Sequence, residues 1–263
     1  MVKNEGEVSE GIRGPYKKKI NMTGYTNCSA VKSEYYYDRV NATAMGEYLT
    51  CLEGSFIQEN LALHLNEPVV ILDVGGGTGR FAIPLHKNGH RVIVGEINAL
   101  PLKILRKREP AIPLILLDEK AKSFPIKGCS IDCILCIEVN ALVASEWFFS
   151  ECNRILKPNG IIIFTTHNRC SYKGFYRKSL LKEDFSKHPW KKFEYVRSFQ
   201  RIRLRFNNGG FRLTKAKGFN WLPASRESNN KLIPHFALIE RVIRLDLLLW
   251  FSPWIIIEGR KFK

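Results

Sequence analysis

The stretch that decides the fold reads Val69-Val70-Ile71-Leu72-Asp73-Val74-Gly75-Gly76-Gly77-Thr78-Gly79-Arg80-Phe81. Its apolar start shows no polar alternation, which predicts a strand buried on both faces. The glycines predict a tight turn, and the residues after Phe81 predict the first turns of a helix, where Pro84 is tolerated. Glycines let a ligand approach the backbone, and a helix N-terminus offers free N–H groups to it. This layout predicts a nucleotide site.

The spacing of the glycines indicates which nucleotide-type ligand the site would bind. Gly75-x-Gly77-x-Gly79 is one residue tighter than the dinucleotide pattern G-x-G-x-x-G, and Asp73 lies two residues upstream. The pattern resembles motif I of the class I S-adenosylmethionine-dependent methyltransferases. The resemblance implies that S-adenosylmethionine is the cofactor, that its methionine part lies on the turn formed by Gly75, Gly76, Gly77 and Gly79, and that Asp73 organises this turn. The alternative is a glycine-rich turn without a ligand.

Acidic residues follow the next predicted strands. Glu96 ends the second strand, Arg91–Glu96, about twenty residues beyond the glycines, where a carboxylate can accept two hydrogen bonds from a ribose diol. A merely exposed glutamate is the alternative. The third strand, 112–118, also ends in an acid, and the resemblance implies that Asp118 contacts the adenine amino group and Glu119 the ring.

The fourth strand, 130–139, contributes Glu138 to the predicted cofactor ligands. The family often continues with a Glu-His pair, but this sequence has Asn140-Ala141-Leu142, so the usual candidate base or metal ligand is missing. The phrase Arg-Ile-Leu-Lys-Pro-Asn-Gly at 154–160, which precedes the fifth strand at 161–166, resembles the family's post-motif III.

Two further features carry candidate chemistry. His167 follows the fifth strand and could act as a general base, because the histidine pKa suits neutral pH; a loop histidine without a role is the alternative. Cys133 and Cys136 have the spacing of a zinc or redox site, but they lie inside a predicted buried strand without a second ligand pair. They therefore read as core cysteines, and no metal site is predicted.

The termini are organised differently from the centre. Residues 1–30 are polar with a basic run, which predicts a flexible basic arm, and 31–66 form a helical cap that Gly46 and Gly54 should split. The Tyr-Tyr-Asp segment at 36–38 resembles the cap of small-molecule methyltransferases; aromatic packing on the sheet edge is the alternative. The resemblance implies a methyltransferase domain over 67–263, with a basic insertion at about 169–208.

The insertion and the C-terminal part hold two ambiguous segments. Residues 201–206 alternate Arg with apolar residues, which predicts a strand with three arginines on one face, either for phosphates or as a solvated edge. Strand six should follow a turn at 207–210. Residues 232–250 read as an apolar helix before strand seven at 254–260. The run is too short to span a membrane; it could rest on an anionic bilayer, but core packing is favoured.

Composition sets the outer bounds. A chain of 263 residues suffices for one α/β domain, and a net charge of +16 permits nucleic acid, an acidic lipid surface or an anionic substrate. The seven cysteines and the polar start favour reduced thiols and a cytoplasmic location. The predicted fold is a Rossmann-like α/β domain whose seven-stranded sheet has the order 3-2-1-4-5-7-6, with strand 7 antiparallel and helices on both faces.

The predicted function is methyl transfer from S-adenosylmethionine to a small molecule or a lipid- or quinone-type precursor, on oxygen or carbon. RNA is the alternative acceptor within the class, because of the charge and the arginine stripe. A non-catalytic basic scaffold or regulatory protein is the alternative from another class, because the strand-four loop lacks the family's pair.

Overall fold

A computed structural model describes residues 35–64, 68–180 and 189–262, and the predicted N-terminal arm lies outside these ranges. The described part contains one seven-stranded sheet. Its strands are β1 (Val70–Val74), β2 (Arg91–Glu96), β3 (Leu114–Leu116), β4 (Ile131–Cys136), β5 (Leu156–His167), β6 (Phe211–Phe219) and β7 (Trp254–Lys261).

The strand order is β3-β2-β1-β4-β5-β7-β6. The first five strands pair in parallel, and β7 lies antiparallel between β5 and β6. The predicted order and the antiparallel seventh strand are confirmed. Because parallel strands end at the same edge of a sheet, the residues that follow β1, β2, β4 and β5 meet along one edge, here called the ligand edge.

The helices cover both faces of the sheet. They are α1 (Tyr36–Asn41), α2 (Ala44–His64), α3 (Ala82–Lys87), α4 (Ala99–Arg108), α5 (Asn140–Ala144), α6 (Phe148–Ile155), α7 (Tyr172–Leu180), α8 (Phe199–Asn208) and α9 (Ile233–Val242). Apolar residues of α2, α3 and α4 pack on one face, and those of α5, α6 and α8 on the other. Among the described helices, none combines the length and hydropathy needed to cross a bilayer.

Two hydrophobic cores follow from the two-residue period of the strands. In β1, Ile71 joins the core beneath α2, whereas its neighbour Leu72 joins the core beneath α6 and α8. Cys133 and Cys136 are fully buried in β4, and burial raises the pKa of both thiols well above the ordinary value. The interpretation of this pair as core cysteines is confirmed.

The cap does not divide where the glycines predicted. The break lies at 42–43, between α1 and α2, and α2 runs without interruption through Gly46 and Gly54. A side chain at Gly46 would place its Cβ 2.0 Å from the carbonyl oxygen of Val40, so this glycine permits the close crossing of α2 over α1. Gly46 is therefore needed for close helix packing and does not end a helix.

The predicted arginine strand is a helix. Residues 201–206 lie inside α8, whose Ser198 N-cap accepts a hydrogen bond from Arg201 N at 3.3 Å. Ile202 and Phe206 are buried one turn apart, which shows that the apolar spacing obeys a helical period. The prediction of three arginines on one strand face is wrong, because residues two apart on a helix do not share a face.

The C-terminal apolar run also departs from prediction. Residues 232–250 do not form one helix: α9 ends at Val242, and a short 3₁₀ turn at Leu245–Leu247 follows Arg244, whose φ is +57°. The favoured core packing is wrong for most of this run, because many of its large apolar side chains are exposed. Strand five begins directly at Leu156, five residues earlier than predicted.

Candidate functional site

The glycine turn forms the centre of the ligand edge. Gly75, Gly77 and Gly79 have φ values of +74°, +56° and +93°, conformations that side chains rarely adopt. The Gly75 amide donates to the Gly95 carbonyl at 2.7 Å, and the Gly79 amide donates to the Gly76 carbonyl at 3.0 Å. These bonds fix the turn between β1 and α3.

The glycines differ in what surrounds them. A Cβ on Gly77 would meet nothing within 4 Å, so the backbone here borders open space that a ligand can enter. A Cβ on Gly76 would lie 2.6 Å from Oδ2 of Asp73, so the carboxyl group of Asp73 already fills that position. The carboxyl group of Asp73 thus lies directly against the backbone of the turn.

Asp73 is an acid held in an apolar setting. It is 2% exposed, and its Oδ2 has no hydrogen-bond partner among the described residues. Burial raises its pKa to about 7, against the lowering effect of Arg80, and Glu96 raises it further. The carboxyl group is therefore partly protonated at neutral pH.

Three predicted ligands follow β2 and β3. At the end of β2, Oε1 of Glu96 accepts hydrogen bonds from the amides of Ile97 at 2.9 Å and Asn98 at 3.1 Å, which orients the carboxylate. In the loop after β3, Asp118 accepts from the Lys120 amide at 2.9 Å, and Glu119 is exposed. The structure places these acids at the ligand edge, Glu96 one strand away from the turn and Asp118 and Glu119 two strands away.

The residues at this edge fit a nucleoside cofactor with an amino-acid tail. The open backbone at Gly77 offers room for the tail, and the oriented Glu96 carboxylate suits a ribose diol. Ile97, directly after Glu96, is 56% exposed and gives a flat ring an apolar neighbour.

Glu138 lies between two arginines that sequence reasoning did not single out. Its Oε1 is 2.8 Å from Arg80 Nη2, and its Oε2 pairs with Arg226. The residue has a φ of +63°, and its amide donates to Thr165 Oγ1 at 2.6 Å. A direct bond from Glu138 to a cofactor would have to compete with two guanidinium groups.

The arginines belong to a partly buried cluster of charges. Arg80 also pairs with the fully buried Glu53 at 3.2 Å, and burial raises the pKa of that acid. Burial lowers the pKa of Arg226 to about 10, and the nearby Arg80 lowers it further. Arg80 follows the last glycine of the motif and could have been found there, but Arg226 stands in a loop without any motif.

The cap contacts the turn directly. Thr78, inside the glycine turn, donates its hydroxyl hydrogen to Asp38 of α1 at 2.5 Å, and Arg108 of α4 donates to the other oxygen of Asp38 at 2.7 Å. Arg226 further donates to Asn41 Oδ1 at 2.6 Å. The segment with Asp38 is therefore hydrogen-bonded to the glycine turn and to α4.

His167 is the last residue of β5 and is buried, not in a loop. Its ring stacks on Trp254 with centroids 4.4 Å apart and lies 4.8 Å from Tyr195, and its Nε2 is 3.3 Å from Asn140 Nδ2. Burial lowers its pKa to about 3, and Arg177 and Lys173 lower it further. A neutral imidazole with this pKa is a poor general base, and the catalytic role of His167 stays a prediction.

A second polar group lies at the same edge beyond β5. Lys173 donates to Asn220 Oδ1 at 2.7 Å, and burial lowers the pKa of this lysine to about 8. The hydroxyl group of Tyr48 donates to Glu240, which also accepts from the Leu222 amide at 3.1 Å. These contacts join α2, α7 and α9 around the end of the sheet.

Comparison with known proteins confirms the family resemblance. Residues 72–164, which contain the glycine turn and strands β2 to β4 with most of β5, match the methyltransferase domain family. A ubiquinone biosynthesis O-methyltransferase of Chelativorans sp. (strain BNC1) is 28% identical over 127 residues, which are 44% of this chain and 50% of that protein. The chain therefore spans about half the length of this curated relative.

Solved structures share the fold over most of the chain. A methyltransferase of Thermotoga maritima, described as a possible histamine N-methyltransferase, has a TM-score of 0.56 at 20% identity, covering 86% of this chain and 94% of that one. The geranyl diphosphate C-methyltransferase of Streptomyces coelicolor A3(2), solved with S-adenosyl-L-homocysteine, has a TM-score of 0.51 at 14% identity, covering 79% and 76%.

Proposed function

Because this chain carries a class I methyltransferase domain, we propose that it transfers a methyl group from S-adenosylmethionine to a small molecule or to a lipid- or quinone-type precursor, on oxygen or carbon. The observation that carries this proposal is the open glycine backbone at Gly77, held one strand away from the oriented carboxylate of Glu96.

Each predicted ligand then has a distinct part. Glu96 holds the ribose hydroxyls, and Asp118 and Glu119 lie beside the adenine. The turn at Gly75, Gly76, Gly77 and Gly79 lets the methionine part approach the backbone, and Asp73 supports it. Glu138 fixes Arg80 and Arg226 in place next to the turn.

The bound cofactor supplies an electrophilic methyl group on a sulfonium. The protein has to align the acceptor with that methyl group and to exclude water. Asp38 of α1 helps with the second task, since it ties the cap to Thr78 inside the turn. His167 is neutral and weakly basic, so we infer an acceptor whose own acidity makes a strong base unnecessary, such as a phenol or an activated carbon.

The comparisons support this acceptor class by analogy only. The names of two similar proteins refer to ubiquinone biosynthesis and to geranyl diphosphate, an O-methyltransferase and a C-methyltransferase respectively. On this chain, the aromatic side chains of Trp254 and Tyr195 line the end of β5 next to His167, where an apolar or aromatic acceptor would find stacking partners.

Two alternative functions were predicted from the sequence, RNA methylation and a non-catalytic scaffold, and the structure weakens one argument for the first. RNA as acceptor rested partly on an arginine stripe, and that stripe does not exist: Arg205 instead donates to the carbonyls of Val143 and Ser145. The net charge of +16 remains, and a steep fall in affinity with salt would favour RNA. A non-catalytic scaffold would leave S-adenosylmethionine unbound.

Titration calorimetry with S-adenosylmethionine, S-adenosylhomocysteine and NAD tests the proposal. We expect micromolar binding of the first two and none of NAD. Glu96→Ala should weaken cofactor binding about 100-fold, because it removes two hydrogen bonds that the ribose hydroxyls donate to a charged carboxylate. Glu47→Ala, at an exposed position in the first turn of α2, is the control and should bind like the parent. Unchanged binding by Glu96→Ala would refute the site.

A further inference from the structure

The segment 231–251, here called the apolar segment, carries a large exposed hydrophobic surface. Ten of its large apolar side chains are at least 45% exposed, and Val242 and Phe251 reach 69% and 64%. Single exposed apolar residues are ordinary on a protein surface, but a contiguous run of this size marks an interaction site.

Helix α9 carries exposed apolar residues on the side that faces away from the sheet. Its inner side is set by Ile233 and Glu240, which are buried. Its outer side carries Leu238 and Val242 at a four-residue step and Ile239 and Ile243 at another, all of them exposed. A surface helix normally presents polar residues to water on the side opposite the core. In α9, the side opposite the core carries exposed apolar side chains instead.

The exposed charges of the apolar segment are mainly positive. Lys231, Arg241 and Arg244 are exposed; Asp246 is partly buried and lies 3.7 Å from Arg244, and Glu240 is buried among its partners. Together with the net charge of +16, this distribution complements an anionic surface.

The apolar segment is anchored at the ligand edge. Asn168, directly after β5, donates to the carbonyls of Leu249 and Trp250 at 3.3 and 2.8 Å. β7 then starts at Trp254, whose ring stacks on His167. The exposed tip with Trp250 and Phe251 therefore lies close to the region where the acceptor would bind.

We propose that the apolar segment docks this protein peripherally on an anionic lipid bilayer. An amphipathic element with exposed Trp, Phe, Leu and Ile side chains and flanking Lys and Arg inserts its apolar side between lipid headgroups. The mainly positive charge favours a bilayer over a second copy of this chain, because two such segments facing each other would bring their basic residues together. This docking does not depend on which acceptor is methylated.

Flotation of the full chain with two kinds of vesicles tests this inference. One kind is pure phosphatidylcholine, and the other contains one part in three of phosphatidylglycerol. We expect binding to the anionic vesicles and at least about tenfold weaker binding to the neutral ones. The double variant Val242→Asp/Phe251→Ser should bind about 100-fold more weakly, because two apolar side chains no longer enter the bilayer.

The matched control is Leu63→Asp, at a position on α2 that is 66% exposed and outside the apolar segment. It should bind vesicles as the parent does, and both variants should keep the parent's circular dichroism spectrum and melting temperature. Equal binding by the double variant and the parent would overturn the proposal. So would an absence of vesicle binding together with a dimer, seen by light scattering, that the double variant abolishes.

Discussion

The glycine turn at 75–79 and the apolar segment at 231–251 lie at the same edge of the sheet but differ in how their side chains are satisfied. In the turn, Thr78 is bonded to the cap, and Gly76 and Gly79 pack against neighbouring side chains. In the apolar segment, ten large apolar side chains are at least 45% exposed to solvent.

The difference shows that a motif and a composition carry different information. The sequence of the turn is compatible with one backbone structure, since positive φ and close packing admit few residues at each position. An apolar run is compatible with two structural roles, a buried core or an exposed docking surface, because both remove apolar side chains from water. Substitutions should therefore have large effects on stability in the turn and small ones in the apolar segment.

The largest effect should come from Gly79→Ala. Gly79 and Gly89 flank α3 with the same φ of +93°, but a Cβ on Gly79 would lie 2.5 Å from Leu105, whereas one on Gly89 would meet nothing. We expect Gly79→Ala to lower the free energy of unfolding by about 3 kcal/mol, from backbone strain and overpacking together. Gly89→Ala should cost about 1 kcal/mol from strain alone.

Urea unfolding of both variants measures this pair. Equal losses in the two variants would mean that the space around Gly79 is not filled as described.

In the apolar segment, Val242→Asp should change the free energy of unfolding by less than about 0.5 kcal/mol, because the side chain is exposed.

An intermediate effect should come from Asp73, and it should depend on pH. Its folded-state pKa of about 7 exceeds the unfolded value of about 3.9, so its contribution to stability is fully present below about pH 4 and is lost as the pH rises through 7. In that window the parent should lose up to about 1.4 kcal/mol per pH unit through this group.

Asp73→Asn removes this titration. We expect the difference in unfolding free energy between variant and parent to move in favour of the variant as the pH rises from 5 to 7. Urea unfolding at four pH values in this range provides the measurement. A constant difference would show that Asp73 is already ionised at pH 5.

A small effect on kcat should come from His167, at the end of β5. His167→Phe keeps a ring against Trp254 and Tyr195 but removes both nitrogens. We expect kcat to fall less than about tenfold, because an imidazole with a pKa of about 3 contributes little as a base. A loss of more than about 100-fold, with disappearance of a kinetic ionisation near pH 6.5, would restore the general-base role.

Much of the fold followed from residue patterns alone. The strand bounded by Arg91 and Glu96 is as predicted, and the sheet order is the one that the motif implies. Local spacing misled at 201–206, where Arg and apolar residues alternate over too few positions to separate a strand from a helix. Burial of Ile202 and Phe206 beneath the helix decided the outcome.

Some residues of the candidate site could be predicted from local sequence patterns, and others could not. The turn glycines and Glu96 are identified by spacing, because a backbone turn and a strand end are local features. Arg226 could not be found, since it stands 88 positions from Glu138, its partner (226 minus 138), in a loop that no pattern marks. The low basicity of His167 was also hidden, because it arises from the rings of Tyr195 and Trp254 folding over it.

The bond between Asp38 and Thr78 has a consequence for energetics. The cap and the ligand turn share one hydrogen bond, and Arg226 ties the cap to Glu138 through Asn41. Occupancy of the turn and order in the cap are then thermodynamically coupled, and such coupling is reciprocal. Any ligand that tightens the turn must protect the α1 amides from hydrogen exchange by the same free energy with which an ordered cap strengthens its binding.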